Sequence, residues 1–289
     1  MSETPDWFWE AIETKSESSY VEVADCDVHY LSWSEPSENG LLFVHGHNAH
    51  AHWWDFIAPF FKDEFHTVAL DLTGMGDSDH RDEYSSDLYA QEIIAVADAT
   101  GMSRKTTLVA HSFGGMMALH TVRLHPERFS GLILVDSGVR HPEDIEERDP
   151  SVDRWSQAKI YPSREVAQSR FRLQPAQQCD NQYIVDHIAR NSIEYDDVED
   201  GWAWKFDEEL NSRMTMTGDL EADYKAVNIP IALIYGAKSE SFKKKSAEYM
   251  LEMKPELRLI EMADAQHHLF LDQPMVFVDT VKQILKDWH

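Results

Sequence analysis

The stretch Leu108-Val-Ala-His-Ser-Phe-Gly-Gly115 constrains this chain more than any other. An apolar run of strand character ends in a serine, and helical spacing follows at once in Met116, Met117, Ala118 and Leu119. A strand that turns straight into a helix pushes the residue at the turn into a strained, exposed position. The residues two before and two after it must then be small, or strand and helix collide. Ala110 and Gly114 hold those places around Ser112. Ala110 stands where glycine is usual in such a turn. It adds one methyl, which a slightly opened turn absorbs.

Strand and helix patterns alternate on both sides of this turn. Residues 19–35 read as two strands around the Asp25-Cys26-Asp27 turn, and Gly40-Leu-Leu-Phe-Val44 is a short apolar strand running into His45-Gly46. A helix is expected to start near Trp54 or Asp55. Phe65–Leu70 is the next strand, followed by the glycine-punctuated loop Asp71-Leu-Thr-Gly-Met-Gly-Asp-Ser78. Tyr84–Thr100 has helical spacing that stops at Gly101, and Ser130–Asp136 is another buried strand. The rhythm resumes at Ile231–Tyr235 and Leu257–Glu261, and a helix from about Gln273 to Trp288 closes the chain. This alternation predicts an α/β fold with a mostly parallel central sheet flanked by helices.

Between Ser137 and Gly218 the alternation breaks. The segment is polar, reads as helical without a convincing strand, and carries Trp155, Tyr161, Phe171, Tyr183, Trp202, Trp204 and Phe206. The expected organisation is a core of residues 1–136 and 219–289 with a helical insertion, 137–218, after the sixth strand. Such an insertion lies over the C-terminal edge of the sheet, where open α/β sheets bind ligands.

Composition removes several classes of function. Among 289 residues, 52 Asp plus Glu face 26 Lys plus Arg, a formal charge of −26 that repels phosphate backbones and anionic lipid headgroups. No apolar run approaches the roughly 20 residues of a membrane span. The opening residues Met1-Ser-Glu-Thr-Pro-Asp-Trp7 lack the layout of a signal peptide, so a soluble, cytoplasmic chain is expected. Cys26 and Cys179 are far apart in sequence and read as free thiols of a reducing compartment. The expected partner is a small-molecule substrate, with no nucleic acid and no membrane, and a homodimer is left open.

A serine hydroxyl is a poor nucleophile unless a base takes its proton and an acid orients the base. In folds built around a nucleophile elbow the chain order is Ser, acid, His, with the His after the last strand. That loop is Met262-Ala-Asp-Ala-Gln-His-His-Leu269, and His267, at its tip, leads over His268. An oxyanion needs preorganised donors. The backbone N–H of Phe113, after the serine, and of His47, in the loop after Val44, are the candidates. His45, His47, His50 and His52 crowd together, but metal ligands need convergent geometry and usually a carboxylate, so loop packing by His45 is the favoured reading. No metal and no cofactor are expected.

Together these pieces resemble the α/β-hydrolase superfamily, in its capped, esterase-like serine hydrolase branch. His45-Gly46, Asp71–Ser78, Ala110–Gly115, the strand end at Asp136 and Gln266-His-His-Leu269 follow the superfamily's order. The resemblance implies Ser112 as nucleophile and His267 as base, with Gln266 replacing the glycine that usually precedes that histidine. It leaves two acids. The usual place, after Ile231–Tyr235, reads Gly236-Ala-Lys-Ser-Glu240 with no Asp, and Glu240 is one candidate, although helix-start capping also explains it. Other relatives place the acid at the end of the preceding strand, where this chain has Asp136, the favoured choice. Epoxide hydrolases and haloalkane dehalogenases of the superfamily use Asp at the elbow, so Ser112 argues against both. The expectation is a serine hydrolase that cleaves a carboxylic ester of a small to medium, largely apolar substrate through an acyl-enzyme. The aromatic residues of the insertion would line its pocket. One alternative is a carbon–carbon bond hydrolase acting on a vinylogous diketone, with Arg140, Arg170 or Arg172 for the substrate's carboxylate. The other is a non-catalytic ligand receptor on the same fold.

Overall fold

A computed structural model of the chain describes residues 4–144 and 159–288. Among these the strands are β1 (Glu17–Val23), β2 (Cys26–Ser32), β3 (Asn39–Val44), β4 (His66–Leu70), β5 (Tyr84–Ser85), β6 (Lys105–His111), β7 (Gly131–Val135), β8 (Ile193–Asp196), β9 (Gly201–Trp204), β10 (Met214–Thr215), β11 (Ile231–Gly236) and β12 (Arg258–Met262). Eight of them form one sheet in the order β1-β2-β4-β3-β6-β7-β11-β12. The β1–β2 and β2–β4 pairs are antiparallel and the others parallel.

The central strands are buried along nearly their whole length and mostly apolar, because both faces of the sheet are covered. Their side chains alternate between two cores. Leu42, Val44, Leu108, Ala110, Leu132 and Leu134 enter one, together with Ile93 and Val96 of helix Ser86–Ala99 and Met117, Leu119 and Val122 of helix Ser112–Leu124. Leu41, Phe43, Val109, Ile133 and Val135 enter the other, against Trp54, Phe270 and the closing helix Pro274–Trp288. Each fully buried Val, Leu, Ile, Phe or Met among them contributes about 1.5–3 kcal/mol. Phe270 joins this core to the sheet edge, stacking on Trp54 at 4.6 Å and meeting the His111 ring edge-on at 5.1 Å.

Several local expectations are corrected. The β1–β2 turn is made by Ala24 and Asp25, both at positive φ, rather than by Asp25–Asp27. No α-helix starts at Trp54. The chain makes two 3₁₀ turns, Ala51–Trp54 and Ala58–Phe61, and Pro59 in the second supplies no N–H to a helical ladder. The segment between β7 and β11 is not free of strands. Ile193–Asp196 and Gly201–Trp204 form an antiparallel hairpin, and Met214–Thr215 pairs in parallel with β5. Asp196 builds the hairpin turn by accepting the N–H groups of Val198 and Glu199. Among the described residues the 3₁₀ turn Pro142–Asp144 and helices Arg164–Ser169, Gln182–Asn191, Leu210–Arg213 and Leu220–Ala226 supply the rest of its regular structure, and Trp155 lies outside them.

This segment is fastened to the core beside the sheet edge. Gly76 N–H donates to the Lys205 carbonyl at 2.9 Å, Asp207 N–H donates to the Gly74 carbonyl at 2.8 Å, and the Tyr84 hydroxyl donates to the Asp207 carboxylate at 2.7 Å. Among the described residues no helix is long and apolar enough to cross a membrane. Cys26 and Cys179 are unbridged.

Candidate active site

Strand β6 ends at His111 and helix Ser112–Leu124 begins with no residue between. Ser112 takes φ 51°, the left-handed region that side-chain-bearing residues avoid, at a cost on the order of 1–3 kcal/mol. Of the two small neighbours read from the sequence, Gly114 is required by the packing, and Gly115 beside it is as well. A Cβ at Gly114 would lie 2.2 Å from the His45 carbonyl oxygen, and one at Gly115 would lie 2.4 Å from Ser137 Oγ. Ser137 also donates its hydroxyl to the Ser112 carbonyl at 2.5 Å, which ties the turn to the end of β7.

His267, in the loop after β12, is 5% exposed and approaches Ser112 from above the sheet edge. Its Nε2 lies 3.0 Å from Ser112 Oγ, and its Nδ1 lies 2.7 Å from Asp136 Oδ2. A carboxylate oxygen accepts, so Nδ1 carries the proton and Nε2 turns its lone pair to the serine hydroxyl. Asp136 stands one residue past β7, also at positive φ, and is buried. Gly236 N–H donates to its Oδ1 at 2.9 Å, and the Ser239 hydroxyl donates to its Oδ2 at 2.6 Å.

The structure therefore brings Ser112, His267 and Asp136 into one hydrogen-bonded chain. It does not bring Glu240 there: that side chain is exposed, and its neighbour Ser239 is what reaches Asp136. Burial lowers the His267 imidazole to about 4, with the positive charge of Arg140 acting in the same direction, so it rests uncharged at neutral pH. Burial raises the Asp136 carboxyl, while the Ser239 hydroxyl and Gly236 N–H favour its ionised form.

Phe113 lies in the first turn of its helix, where an N–H has no carbonyl of its own helix to bond. His47 stands on the facing loop, its ring 5.6 Å from the Phe113 ring. A cavity of about 210 Å³ lies here, lined by Gly46, His47, Ser112, Gln174 and His267 among others. A second cavity of about 190 Å³ shares His47 and Gln174 with it. Its walls include Trp53, Phe171, Trp204 and Phe206, with Arg170 and Arg172 at the same place. Of the aromatic residues expected there, Tyr183 packs on Phe8 and Trp202 on Tyr195 instead.

The histidines of the 45–52 loop go separate ways. His45 Nδ1–H donates to the Gly46 carbonyl at 2.7 Å and its Nε2 accepts Leu72 N–H at 3.0 Å, while His50 pairs with Ser192 and His52 with Asp55. Two groups with metal-ligand spacing occur among the described residues, and neither includes that loop. In one, Asp71 already accepts from the His29 ring, Ala51 N–H and Asp77 N–H, which makes it a hub for the glycine-punctuated loop. The other is His111, His267 and His268. Sequence reading gave no role to Ser137, Ser239 or His111. Only the adjacency of Ser239 to Glu240 and of His111 to Ser112 pointed toward them.

The family model described as "Alpha/beta hydrolase family" matches residues 41–280, and the chain belongs to that family. Human epoxide hydrolase 4 is 33% identical over 122 residues, which are 40% of this chain, and the chain spans 33% of that protein's length. The Mycobacterium tuberculosis protein "Esterase Rv0045c" is 24% identical over 255 residues, covering 85% of this chain and 82% of that one. Among solved structures, E-2-(acetamidomethylene)succinate hydrolase superposes with a TM-score of 0.80 at 16% identity. The match covers 94% of this chain and 100% of that one, and it shows the shared fold.

Proposed function

We propose that the chain is a serine hydrolase that cleaves a carboxylic ester through an acyl-enzyme. The observation that carries the reading is the contact chain from Ser112 Oγ through His267 to Asp136. In this reading His267 Nε2 takes the hydroxyl proton as Ser112 Oγ bonds to the acyl carbon. The N–H groups of Phe113 and His47 hold the oxyanion. His267 then gives the proton to the departing alcohol, and the carbon–oxygen bond of the ester breaks. A water repeats the sequence on the acyl-enzyme, releasing the acid and restoring Ser112. Asp136 keeps Nδ1 protonated throughout and stabilises the imidazolium. Base catalysis of this kind contributes about 10²–10⁴ in rate, and one oxyanion donor about 10²–10³.

Residues 137–218 act as the cap in this reading. Trp53, Phe171, Trp204 and Phe206 support a small to medium, largely apolar substrate. Some relatives are named epoxide hydrolases, but members of that activity carry a carboxylate where this chain has Ser112, and a serine hydroxyl suits an acyl carbon instead. Two unbridged thiols and an acidic composition support the cytoplasm as its compartment.

A fluorophosphonate probe tests the reading. Folded wild type is expected to be labelled and Ser112→Ala is not, and an unlabelled wild type overturns it. A second reading, a carbon–carbon hydrolase, is favoured by Arg170 and Arg172 beside the aromatic wall, where they would meet a substrate carboxylate. It requires turnover of a vinylogous diketone far faster than of p-nitrophenyl esters.

A further inference from the structure

We propose that His111, His267 and His268 form a binding site for a zinc ion, and that zinc bound there withdraws His267 from Ser112. One ring nitrogen of each lies within 4.8 Å of the others, and all three side chains are buried. The rings themselves are close, with centroids 4.7 Å apart for His111–His267, 4.9 Å for His267–His268 and 5.3 Å for His111–His268.

The stronger argument is how each ring is anchored. A metal-binding imidazole usually donates its second ring N–H to a carboxylate or a backbone carbonyl, which fixes the ring and leaves the other nitrogen as a lone pair. His267 donates Nδ1–H to Asp136, leaving Nε2. His111 lies 3.1 Å through Nε2 from the His267 carbonyl, which only accepts, so Nδ1 is left bare. That Nδ1 is buried without a partner and faces the space over Gly46, 2.8 Å from where a Cβ of residue 46 would stand. His268 lies against the carbonyls of Gln174 and Pro175, and neither of its buried ring nitrogens completes a hydrogen bond.

All three line the 210 Å³ cavity next to Ser112. Zinc takes nitrogen ligands at about 2.0–2.1 Å in tetrahedral array, so the rings need a modest rotation toward that cavity, with water as fourth ligand. A set of three imidazoles without a ligating carboxylate selects zinc-like ions over magnesium and calcium, which want oxygen. This departs from the expectation that the chain takes no metal. The inhibitory half rests on the reading of His267 as the base, and the binding half does not.

Calorimetric titration of the full chain with ZnCl₂ is expected to show one ion per chain, and MgCl₂ none. His111→Gln and His268→Gln are each expected to weaken zinc binding by about tenfold or more. Saturating zinc is expected to cut ester turnover by at least about tenfold, reversed by EDTA, with that sensitivity reduced in both variants relative to their own zinc-free rates. If a variant fails to fold, cobalt(II) titrated into wild type is expected to give the intense visible bands of a four-coordinate site. Weak six-coordinate bands overturn the proposal. No saturable zinc binding, or binding retained at full strength by both variants, also overturns it. Zinc bound at this site by a chain that turns over no ester sinks the functional reading and leaves the metal site. Ester turnover in a chain that binds no zinc does the reverse.

Discussion

Ser112 and Asp136 take the same left-handed backbone, φ 51° and 47°, each one residue past the end of its strand. Strands β6 and β7 are parallel neighbours with His111 opposite Val135, so the two residues stand side by side at the C-terminal edge of the sheet. Two adjacent strands thus end in the same unfavourable turn, and one imidazole spans both side chains. Backbone strain at neighbouring positions is maintained only where the surroundings over-determine it. Here Ser137 and Gly236 do so from either side.

That placement separates the two candidate acids. Asp136→Asn is expected to lower kcat/KM toward ester substrates by about 10⁴, because an amide facing Nδ1 favours the wrong imidazole tautomer. Glu240→Gln is expected to stay within about twofold, since a surface change away from the site rarely exceeds 0.5 kcal/mol. Steady-state kinetics of both variants on one ester decide it, and equal losses would remove Asp136 from its place.

The acid limb of the activity profile should lie low. His267 must be uncharged to accept the serine proton, and burial brings its pKa down to about 4. The kcat/KM of folded protein is therefore expected to hold from pH 7 to 6 and to fall only as pH drops through the region of about 4. A half-maximal point near 6.5, the ordinary histidine value, would show that the site does not depress this group.

Stability should respond to acid earlier than activity per folded molecule. His50, His111 and His268 are held well below 6.5, chiefly by burial. The unfolded chain takes up protons on these residues below about pH 6.5 while the folded chain does not. Each therefore removes up to roughly 1.4 kcal/mol per pH unit as pH falls from there toward its folded value. Glu92, raised by burial, acts in the opposite direction, so the net slope is smaller than the histidines alone would give. Urea midpoints are expected to drop between pH 6.5 and 5.5, and a flat profile would contradict the buried, neutral state of these rings.

Gly114→Ala tests the packing behind the turn. The new methyl would meet the His45 carbonyl at 2.2 Å, and backbone cannot swing aside as a side chain can. A loss of about 1–3 kcal/mol or more is expected, read from thermal unfolding, together with a fall in kcat as the 45–47 loop is pushed from Phe113. Unchanged stability would mean that the turn is looser than described.

The turn at Ser112 was legible because strand, turn and helix are contiguous in sequence and small residues stand at 110 and 114, although the atoms that forbid a side chain at 114 and 115 come from His45 and Ser137, far away in the chain. The place of His267 was legible from chain order. The choice between Asp136 and Glu240 was not, since both follow strands, and the deciding contact spans 131 residues from Asp136 to His267. The β8–β9 hairpin was missed because four-residue strands in an acidic segment leave too little alternation to read, although Ile193, Tyr195, Trp202 and Trp204 do alternate. The grouping of His111 with His268 had no sequence signal beyond its two ends, which only the sheet edge brings together.

Trp204 and Phe206 flank Lys205, whose carbonyl accepts from Gly76, and Asp207 just beyond donates to Gly74. These two aromatic rings are thus mounted on the glycine loop of the sheet, although in sequence they belong to the segment between β7 and β11. In the proposed reading that side of the pocket is masonry: its outline follows from the loop of the sheet, and a molecule too broad for it would be refused by shape.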